Sequence, residues 1–241
     1  MTLDQFIALA ASVAACASAL ATFMTIRQMA KQREASYRPE LVFAFTPFEG
    51  LASAKGRLPE NWESGAREEK EASHRQRLKI PLHNVGLGAA RSVKLTWSFP
   101  IERATQEANE RAQRALIPAY FTYDDGALSL KSETLGTGTS FWSNQRSVSL
   151  DFVLPASVEA EPLTLSLPLA YIELCSALLY FAMNTQGDPN FPDFPALQAT
   201  LEFLDIGGTK HEAQYEFSIL LGSVTNNAES FTAAVQVKKG A

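Results

Sequence analysis

Three histidines are the side chains of this 241-residue chain best suited to metal or acid–base chemistry. His74, His83 and His211 match neither an HxxxH nor an HExxH spacing. Cys175 is the only cysteine outside an apolar N-terminal stretch, so no cysteine pair is available for a structural zinc site. We therefore expect each histidine to be solvated or locally hydrogen-bonded, and we predict no metal site.

A glycine pair could suggest nucleotide chemistry. The run Gly86-Leu87-Gly88-Ala89-Ala90-Arg91 begins like a dinucleotide-binding fingerprint, but Arg91 stands at the third glycine position. The run also lies between two predicted strands, whereas phosphate binding requires a helix N-terminus. A hairpin turn explains these glycines, and we predict no cofactor.

Neither the aspartates nor the common catalytic motifs indicate a metal site or an active site. Asp188, Asp193 and Asp205 lack the spacing and the glycine of an EF-hand loop, so we interpret them as turn formers. The chain has neither a G-x-S-x-G elbow nor a P-loop. We predict that the protein is not an enzyme.

The elements that must position any site begin with residues 6–26, which contain no charged side chain. This length matches a hydrocarbon core of roughly 30 Å, and only a helix satisfies its own backbone groups in lipid. Residues 27–36 lack Pro and Gly, so the helix should continue and end near Tyr37, before Pro39. We predict a transmembrane helix with a juxtamembrane extension over residues 1–38, followed by a domain over residues 39–241.

Basic residues crowd the C-terminal side of this stretch. Arg27, Lys31, Arg33 and Arg38 follow it, and no Lys or Arg precedes it. The positive-inside rule then puts the N-terminus outside and the C-terminal domain in the cytoplasm, at the inner membrane. The same four residues are candidate contacts for lipid headgroups.

Three other interpretations compete with the anchor. A cleaved signal peptide requires a basic n-region that the first five residues lack. The run Val13-Ala14-Ala15-Cys16 is similar to a lipobox, which would acylate Cys16 and make the domain a periplasmic lipoprotein-type binding domain. The stretch that follows stays apolar, where a mature lipoprotein turns polar. A buried core helix is the third interpretation.

Small residues recur every four positions along the apolar stretch, at Ala10, Ala14, Ser18 and Thr22. Such a face permits close helix–helix approach in lipid. A homodimer through this face is therefore a hypothesis.

Charge limits the partners of the domain. Residues 1–38 hold four of the 21 basic and two of the 26 acidic residues, which leaves 17 against 24, a net charge near −7. An acidic domain is repelled by phosphate backbones, so we expect no nucleic-acid binding.

Alternation of apolar and polar residues dominates the domain and predicts half-buried strands. The clearest strands are predicted at 93–99, 148–154, 163–169, 213–219 and 231–237, and weaker ones at 41–46, 78–85, 117–123, 127–131 and 199–206. Ile206-Gly207-Gly208-Thr209, Asp124-Asp125-Gly126 and the segment 84–88 are predicted turns between strands. Helices are predicted at 102–116 and 170–183. The expected fold is mainly β, an immunoglobulin-like antiparallel β-sandwich with two added helices.

Two polar segments complete the sequence. Residues 50–76 are predicted to be a mobile loop, and residues 184–195 a Pro-rich turn segment. Trp62, taken as exposed, Phe191 and Phe194 lie in these segments and are candidate contacts with a protein partner. They could equally pack back onto the core, and the sequence does not decide between the two.

Several of these features occur together in one family. The segment 32–41 leads from the apolar helix into the first strand, and the motif Asn84-x-Gly86-x-Gly88-x-Ala90 precedes a V-x-L-x-W strand. Leu204-Asp205-Ile206-Gly207-Gly208 then leads into a Tyr215-x-Phe217 strand. The chain resembles bacterial single-pass membrane-anchored proteins with an immunoglobulin-like cytoplasmic domain and no assigned function. The resemblance implies no catalytic residues.

The expected function is a membrane-anchored, non-enzymatic interaction or scaffold module that binds an unidentified protein. Tethering to a bilayer raises the effective concentration of the domain for partners on the same surface. The alternative is a sensor or effector of a bacterial stress or phage-defence system that signals through the helix.

Overall fold

The computed structural model of the chain describes residues 3–54, 56–64, 77–185, 191–225 and 228–240; within the first helix it describes the side chains of Leu3, Ile7 and residues 11–32. Four helices occur in these ranges: α1 (Leu3–Ser36), α2 (Ile101–Arg114), α3 (Trp142–Gln145) and α4 (Leu169–Met183). The three longer helices match the sequence predictions within a few residues. The short α3 is not predicted.

The described ranges also contain thirteen strands, all paired antiparallel. They are β1 (Leu41–Phe43), β2 (Thr46–Leu51), β3 (Asn61–Glu63), β4 (Lys79–Asn84), β5 (Ala90–Ser98), β6 (Ala119–Asp124), β7 (Ala127–Ser132), β8 (Gly138–Phe141), β9 (Ser147–Val153), β10 (Leu163–Ser166), β11 (Leu197–Leu204), β12 (Lys210–Val224) and β13 (Ser230–Lys239). The fold is therefore mainly β, as predicted.

A curled seven-stranded sheet, shaped like half a barrel, forms the largest part of the domain. Its strand order is β3-β2-β13-β12-β11-β5-β9. Two three-stranded sheets flank it, with the orders β1-β4-β10 and β6-β7-β8. The half-barrel receives an aromatic side chain from the first small sheet: Phe43 of β1 packs edge-on against Tyr215 and Phe217 of β12, with ring centroids 5.1 and 4.9 Å apart.

Helix α4 lies in the centre of the core. Of its 15 residues, 13 are buried, which means that neighbours cover it on all sides. Phe99 beyond β5 packs on Tyr171 of α4 at 5.4 Å, and α2 turns Ala104, Ala108 and Ala112 inward. Burying a large apolar side chain contributes about 1.5–3 kcal/mol, so this helix organises much of the domain's stability. The sequence predicts this helix but does not decide between core and interface; its burial assigns it to the core.

Two predicted hairpins are present and one is not. The Gly207-Gly208 turn joins β11 to β12, with Gly208 at a φ of 86°, and the Asp125-Gly126 turn joins β6 to β7. The segment 84–88 is not a hairpin, because β4 belongs to a small sheet and β5 to the half-barrel. It is a corner through which the chain changes sheets.

The predicted loop at 50–76 is also partly wrong. Its first residues complete β2, and residues 61–63 form the edge strand β3 of the half-barrel. Residues 55 and 65–76, which include His74, lie outside the described part of the chain.

The domain has two ends along the strands of the half-barrel. Strand β13 runs about 30 Å, from Ser230 to Lys239, which lies beside Glu40 of the segment that follows α1. We call the end at Lys239 the junction end and the end at Ser230 the far end. Asn84 at the close of β4 and the β11–β12 turn also lie at the junction end.

Candidate functional site: the helix–domain junction

Residues 37–41 connect α1 to the domain and cross its junction end. Tyr37 is exposed, Pro39 is buried, and Leu41 enters β1 at 2% exposure. The backbone N–H of Val85 donates to the carbonyl of Glu40 at 2.8 Å. The connecting segment is thus fixed to the domain.

Asn84 fixes this segment to two others. Its Oδ1 accepts from the backbone N–H groups of Glu40 and Gly86, both at 3.1 Å. Its Nδ2 donates to the carbonyls of Gly88 at 2.7 Å and Val153 at 3.1 Å. At 1% exposure, an amide with four such bonds is fully satisfied, and neither a carboxylate nor an apolar side chain could replace it. Asn84 therefore joins the connecting segment, the 84–88 corner and β9.

The two glycines of the corner allow a close backbone approach. A Cβ on Gly86 would overlap the carbonyl oxygen of Arg38, and one on Gly88 would overlap the carbonyl oxygen of Tyr37. Neither Gly86 nor Gly88 has a positive φ. Glycine is required here because the passing backbone leaves no room for a Cβ, and not because of turn geometry. This is the physical role of the motif that the sequence presents as a turn.

A second attachment comes from the half-barrel. Tyr215 donates its hydroxyl proton to the carbonyl of Leu41, and burial, with a contribution from Glu40, raises the pKa of Tyr215 to about 12. The phenol stays protonated and remains a donor at physiological pH. Lys239 approaches Glu40 at 3.7 Å, but both side chains are about half exposed, so this ion pair adds little.

A groove of about 450 Å³ lies between the connecting segment and the β11–β12 hairpin; its lining includes Arg38, Leu87, Phe203 and His211. His211 bonds through Nε2 to Asp205 Oδ2 at 3.0 Å and stacks on Phe203 with ring centroids 5.4 Å apart.

Asp205 also accepts the backbone N–H of Thr209 at 2.8 Å. These bonds, first that from His211 and then that from Thr209, lower the pKa of Asp205. The pair closes the hairpin turn, which matches the expectation of a locally bonded His211.

The predicted membrane residues lie along α1. The side chains of Ala14, Ser18 and Thr22 are exposed at successive turns of one face, and Thr22 Oγ1 donates to the carbonyl of Ser18 at 2.9 Å. The side chain of Ala10 lies outside the described residues. Whether this face packs against a second helix stays a prediction.

The predicted headgroup contacts follow on the same helix and at its end. Arg27, Lys31 and Arg38 are exposed. The side chain of Arg33 lies outside the described residues. A role with lipid stays a prediction for all four.

Trp62 is buried and not exposed, so of the two possibilities open to it the structure shows packing onto the core. Its side chain is 1% exposed, stacks on Phe48 at 4.6 Å, and donates from Nε1 to the carbonyl of Pro59 at 3.0 Å and to Ser176 Oγ at 3.1 Å. Trp62 ties β3 to the core helix, because the polar residues around it in the sequence hide an edge strand. It offers no surface to a partner.

The other two predicted contacts differ in exposure. Phe191 is 53% exposed, whereas Phe194 is half-buried and packs against the core. Phe194 also lines a groove of about 690 Å³ beside α2, with Asp193 and the arginines of that helix. Both lie away from the junction.

Metal-binding residues do not converge in the described ranges: no group of three or more His, Cys, Asp or Glu side chains is found there. His83 is half-buried on β4, and Asp188 falls outside these ranges. Cys175 is buried in α4, where burial raises the pKa of its thiol well above the ordinary value and a hydrogen bond with Tyr171 lowers it in part.

Comparisons with protein-family models, curated proteins and solved structures found no match for this chain.

The sequence indicates part of the junction. The alternation of Asn84, Gly86 and Gly88 marks it, but Tyr215 carries no local signal because its partner Leu41 is 174 residues away.

Proposed function

We propose that the protein is a single-pass, membrane-anchored interaction module whose β-rich domain lies at the inner face of a bacterial membrane. The observation that carries the proposal is the exposure of α1. Its stretch Ala11–Gln32 is long and apolar enough to cross a bilayer, and every side chain in it is exposed.

Burial physics supports lipid as the cover for this helix. An apolar surface of this length is unfavourable in water and exceeds the patches that soluble monomers expose. The hydroxyls of Thr22 and Thr25 donate to the carbonyls of Ser18 and Ala21, both at 2.9 Å, so they need no water. Arg27 and Lys31, at the C-terminal end of the stretch, have stems long enough to reach headgroups.

The proposed immunoglobulin-like sandwich rests on the packing between sheets. Residues of β1, β4 and β10 share one hydrophobic core with the half-barrel. The central α4 makes the domain thicker than a simple two-sheet sandwich, so the proposal is a modified member of that architecture.

The proposed partner surface is a groove beside α2 that shares no lining residue with the junction groove. It combines Phe194 with Arg103, Arg111 and Asp193, and exposed Phe191 stands near it in sequence. An aromatic anchor beside fixed charges suits a polar protein segment. A tether at the junction would leave this groove free for partners on the same membrane.

Fractionation of cells that express the full chain tests the anchor. The protein should sediment with membranes, resist alkaline carbonate and keep residues 1–26 by intact mass. Loss of the N-terminal residues would instead indicate a signal sequence, and a diacylglyceryl group on Cys16 would indicate a lipoprotein. A protein that is soluble without detergent would overturn the proposal.

Orientation is tested by labelling Leu116→Cys, because Leu116 is 81% exposed while Cys175 is buried. A membrane-impermeant maleimide should label it only after the cells are opened. Labelling of intact cells would reverse the orientation.

Partner binding is tested with a photo-crosslinking amino acid at Phe191, with the same residue at Leu116 as the matched control. A discrete adduct from Phe191 alone, lost when Arg111 is replaced by Glu, supports the groove. Equal adducts from both positions, or none, contradict it.

The alternative sensor or effector role is favoured by the exposed face of Ala14, Ser18 and Thr22. If this face forms a signalling dimer, Ala14→Leu with Ser18→Leu should abolish crosslinked dimers and any associated phenotype. Leucine at the neighbouring positions Ala15 and Ala19 is the matched control.

A further inference from the structure

Six large apolar side chains surround the place where α1 leaves the domain. Each is more than half exposed, and we call them the junction rim: Tyr37, Val85, Leu87, Phe152, Val158 and Ile206.

Contacts at the junction bring the first members of the rim together. The N–H of Val85 bonds to the connecting segment, and Gly88 abuts the carbonyl of Tyr37. Leu87 lines the same groove as Phe203 of β11. The 84–88 corner thus stands directly beside the end of the helix.

The other members arrive from neighbouring elements. Phe152 is next to Val153, whose carbonyl accepts from Asn84. Ala156 bonds to the carbonyl of Asn84 at 2.9 Å, which places the turn carrying Val158 at this end. Ile206 sits in the tight turn of the β11–β12 hairpin.

We infer that the junction rim contacts the headgroup layer of the bilayer that α1 spans. This inference rests on the proposed anchor and adds to it a second, peripheral contact between domain and lipid. The partner is a lipid surface and not a protein.

The height of the rim above the apolar stretch supports this inference. The candidate span Ala11–Gln32 ends four residues before Ser36, and over these residues the helix advances about 6 Å. The headgroup layer on each side of the hydrocarbon core is about 5–7 Å thick. The connecting segment is held by Asn84 and Tyr215, so the rim cannot swing away from the helix end. The apolar side chains are therefore held at headgroup depth.

Charge at the rim is mixed. Arg38, Arg91 and Lys239 are exposed at this end, as are Glu40, which approaches Lys239 at 3.7 Å, Asp151 and Glu159. The carboxylate of Asp205 is occupied by its bonds with His211 and Thr209. Apolar tips beside exposed basic side chains are found on surfaces that sit at a membrane interface.

Depth measurements on the full chain test the inference. Single cysteines would replace Leu87 at the rim, Glu229 at the far end and Met24 in the span, in a Cys16→Ala background that leaves the buried Cys175 in place. Each would carry a nitrobenzoxadiazole label in liposomes containing phosphatidylglycerol and a lipid with a nitroxide on its headgroup. All three positions are exposed, so the changes should not disturb folding.

We expect quenching at Leu87 to exceed that at Glu229 roughly threefold or more, because Glu229 lies about 30 Å along β13 from Lys239 at the junction end. Ile206→Cys provides an independent rim position and should behave like Leu87. If Met24 is shielded by lipid but Leu87 matches Glu229, the anchor stands and the rim contact is wrong. If Met24 is also in water, both proposals fail. Self-quenching at Leu87 without nitroxide quenching would assign the rim to a second copy of the chain and overturn the lipid contact.

Discussion

Helices α1 and α4 are both apolar, but they differ in exposure. All described side chains of α1 are exposed, whereas 13 of the 15 residues of α4 are buried. Composition alone does not separate the two helices. Their lengths and the partners of their polar atoms do.

Polar atoms in α4 bond to other elements of the fold. Glu173 accepts from Ser140 Oγ of β8 at 2.7 Å, Ser176 donates to the carbonyl of Pro59 at 2.9 Å, and Tyr171 donates to that of Pro195 at 2.9 Å. Each bond fixes a loop or strand to the helix. Buried polar groups require such partners, so α4 acts as a scaffold for the surrounding segments.

Polar atoms in α1 bond within the helix. Thr22 and Thr25 each use the carbonyl four residues earlier. A helix whose polar groups are satisfied internally can enter lipid, while one whose polar groups reach other elements is committed to a core. The destination of the side-chain hydrogen bonds therefore distinguishes the two kinds of apolar helix.

The strongest test of this contrast places the same charge in both helices. Ala177→Arg in α4 would bury an unpaired cation and should cost about 4 kcal/mol or more, a large part of a typical stability of 5–15 kcal/mol. Ala15→Arg in α1 should leave the domain's denaturation midpoint unchanged and reduce membrane insertion. Urea denaturation followed by tryptophan fluorescence, with fractionation, measures both effects. A lowered midpoint in the α1 variant would show that α1 packs on the domain.

The next test removes the tie between β3 and α4. Trp62→Ala should cost about 3–5 kcal/mol because it opens a cavity and leaves the Pro59 carbonyl and Ser176 Oγ with only their bond to each other. Phe191→Ala, at an exposed aromatic of the same predicted class, should stay within about 0.5 kcal/mol. Trp62→Phe keeps a ring without the N–H and should fall between them. Equal effects for Trp62 and Phe191 would contradict the burial of Trp62.

Sequence periodicity predicts most of the strands and both longer domain helices. Alternation along residues 213–219 and 231–237 identifies β12 and β13, because the side chains of a half-buried strand alternate between faces. The same logic misses β3, whose three residues are too few to show a period, and so misplaces Trp62.

Turn chemistry predicts less than periodicity. Glycines at 207–208 and at 86–88 look alike in the sequence, but one pair closes a hairpin and the other admits a passing backbone. Whether the strand after a turn pairs with the strand before it depends on distant contacts, such as that of Tyr215 with Leu41. The sequence therefore shows that the glycines at 86–88 have a structural role, but it does not show that this role is to form the junction.

The attachment between the exposed helix and the packed domain offers a smaller effect. Asn84→Ala removes four hydrogen bonds and should cost about 2–3 kcal/mol. It should also expose the bond after Tyr37 to chymotrypsin; the bond after Arg38 precedes Pro39 and resists trypsin in any state. Asn109→Ala is the matched control, since Asn109 makes two similar backbone bonds to Phe121 between α2 and β6, and it should destabilise without opening the junction. Unchanged cleavage after Tyr37 would mean that Asn84 does not hold the connecting segment.

The smallest expected effect is on the stability of the domain at low pH. The pKa of Asp205 is lowered in the folded chain, so its carboxylate contributes stability above its unfolded pKa of about 3.9 and loses it as pH falls through the lower folded value. The wild-type unfolding midpoint should therefore drop more steeply than that of Asp205→Asn below about pH 4. Glu159→Gln, at an exposed carboxyl in the 154–162 turn, is the control and should keep the wild-type slope. Parallel pH profiles for wild type and Asp205→Asn would show that the His211 and Thr209 bonds do not stabilise the hairpin, and the hairpin side of the junction would then depend on Tyr215 alone.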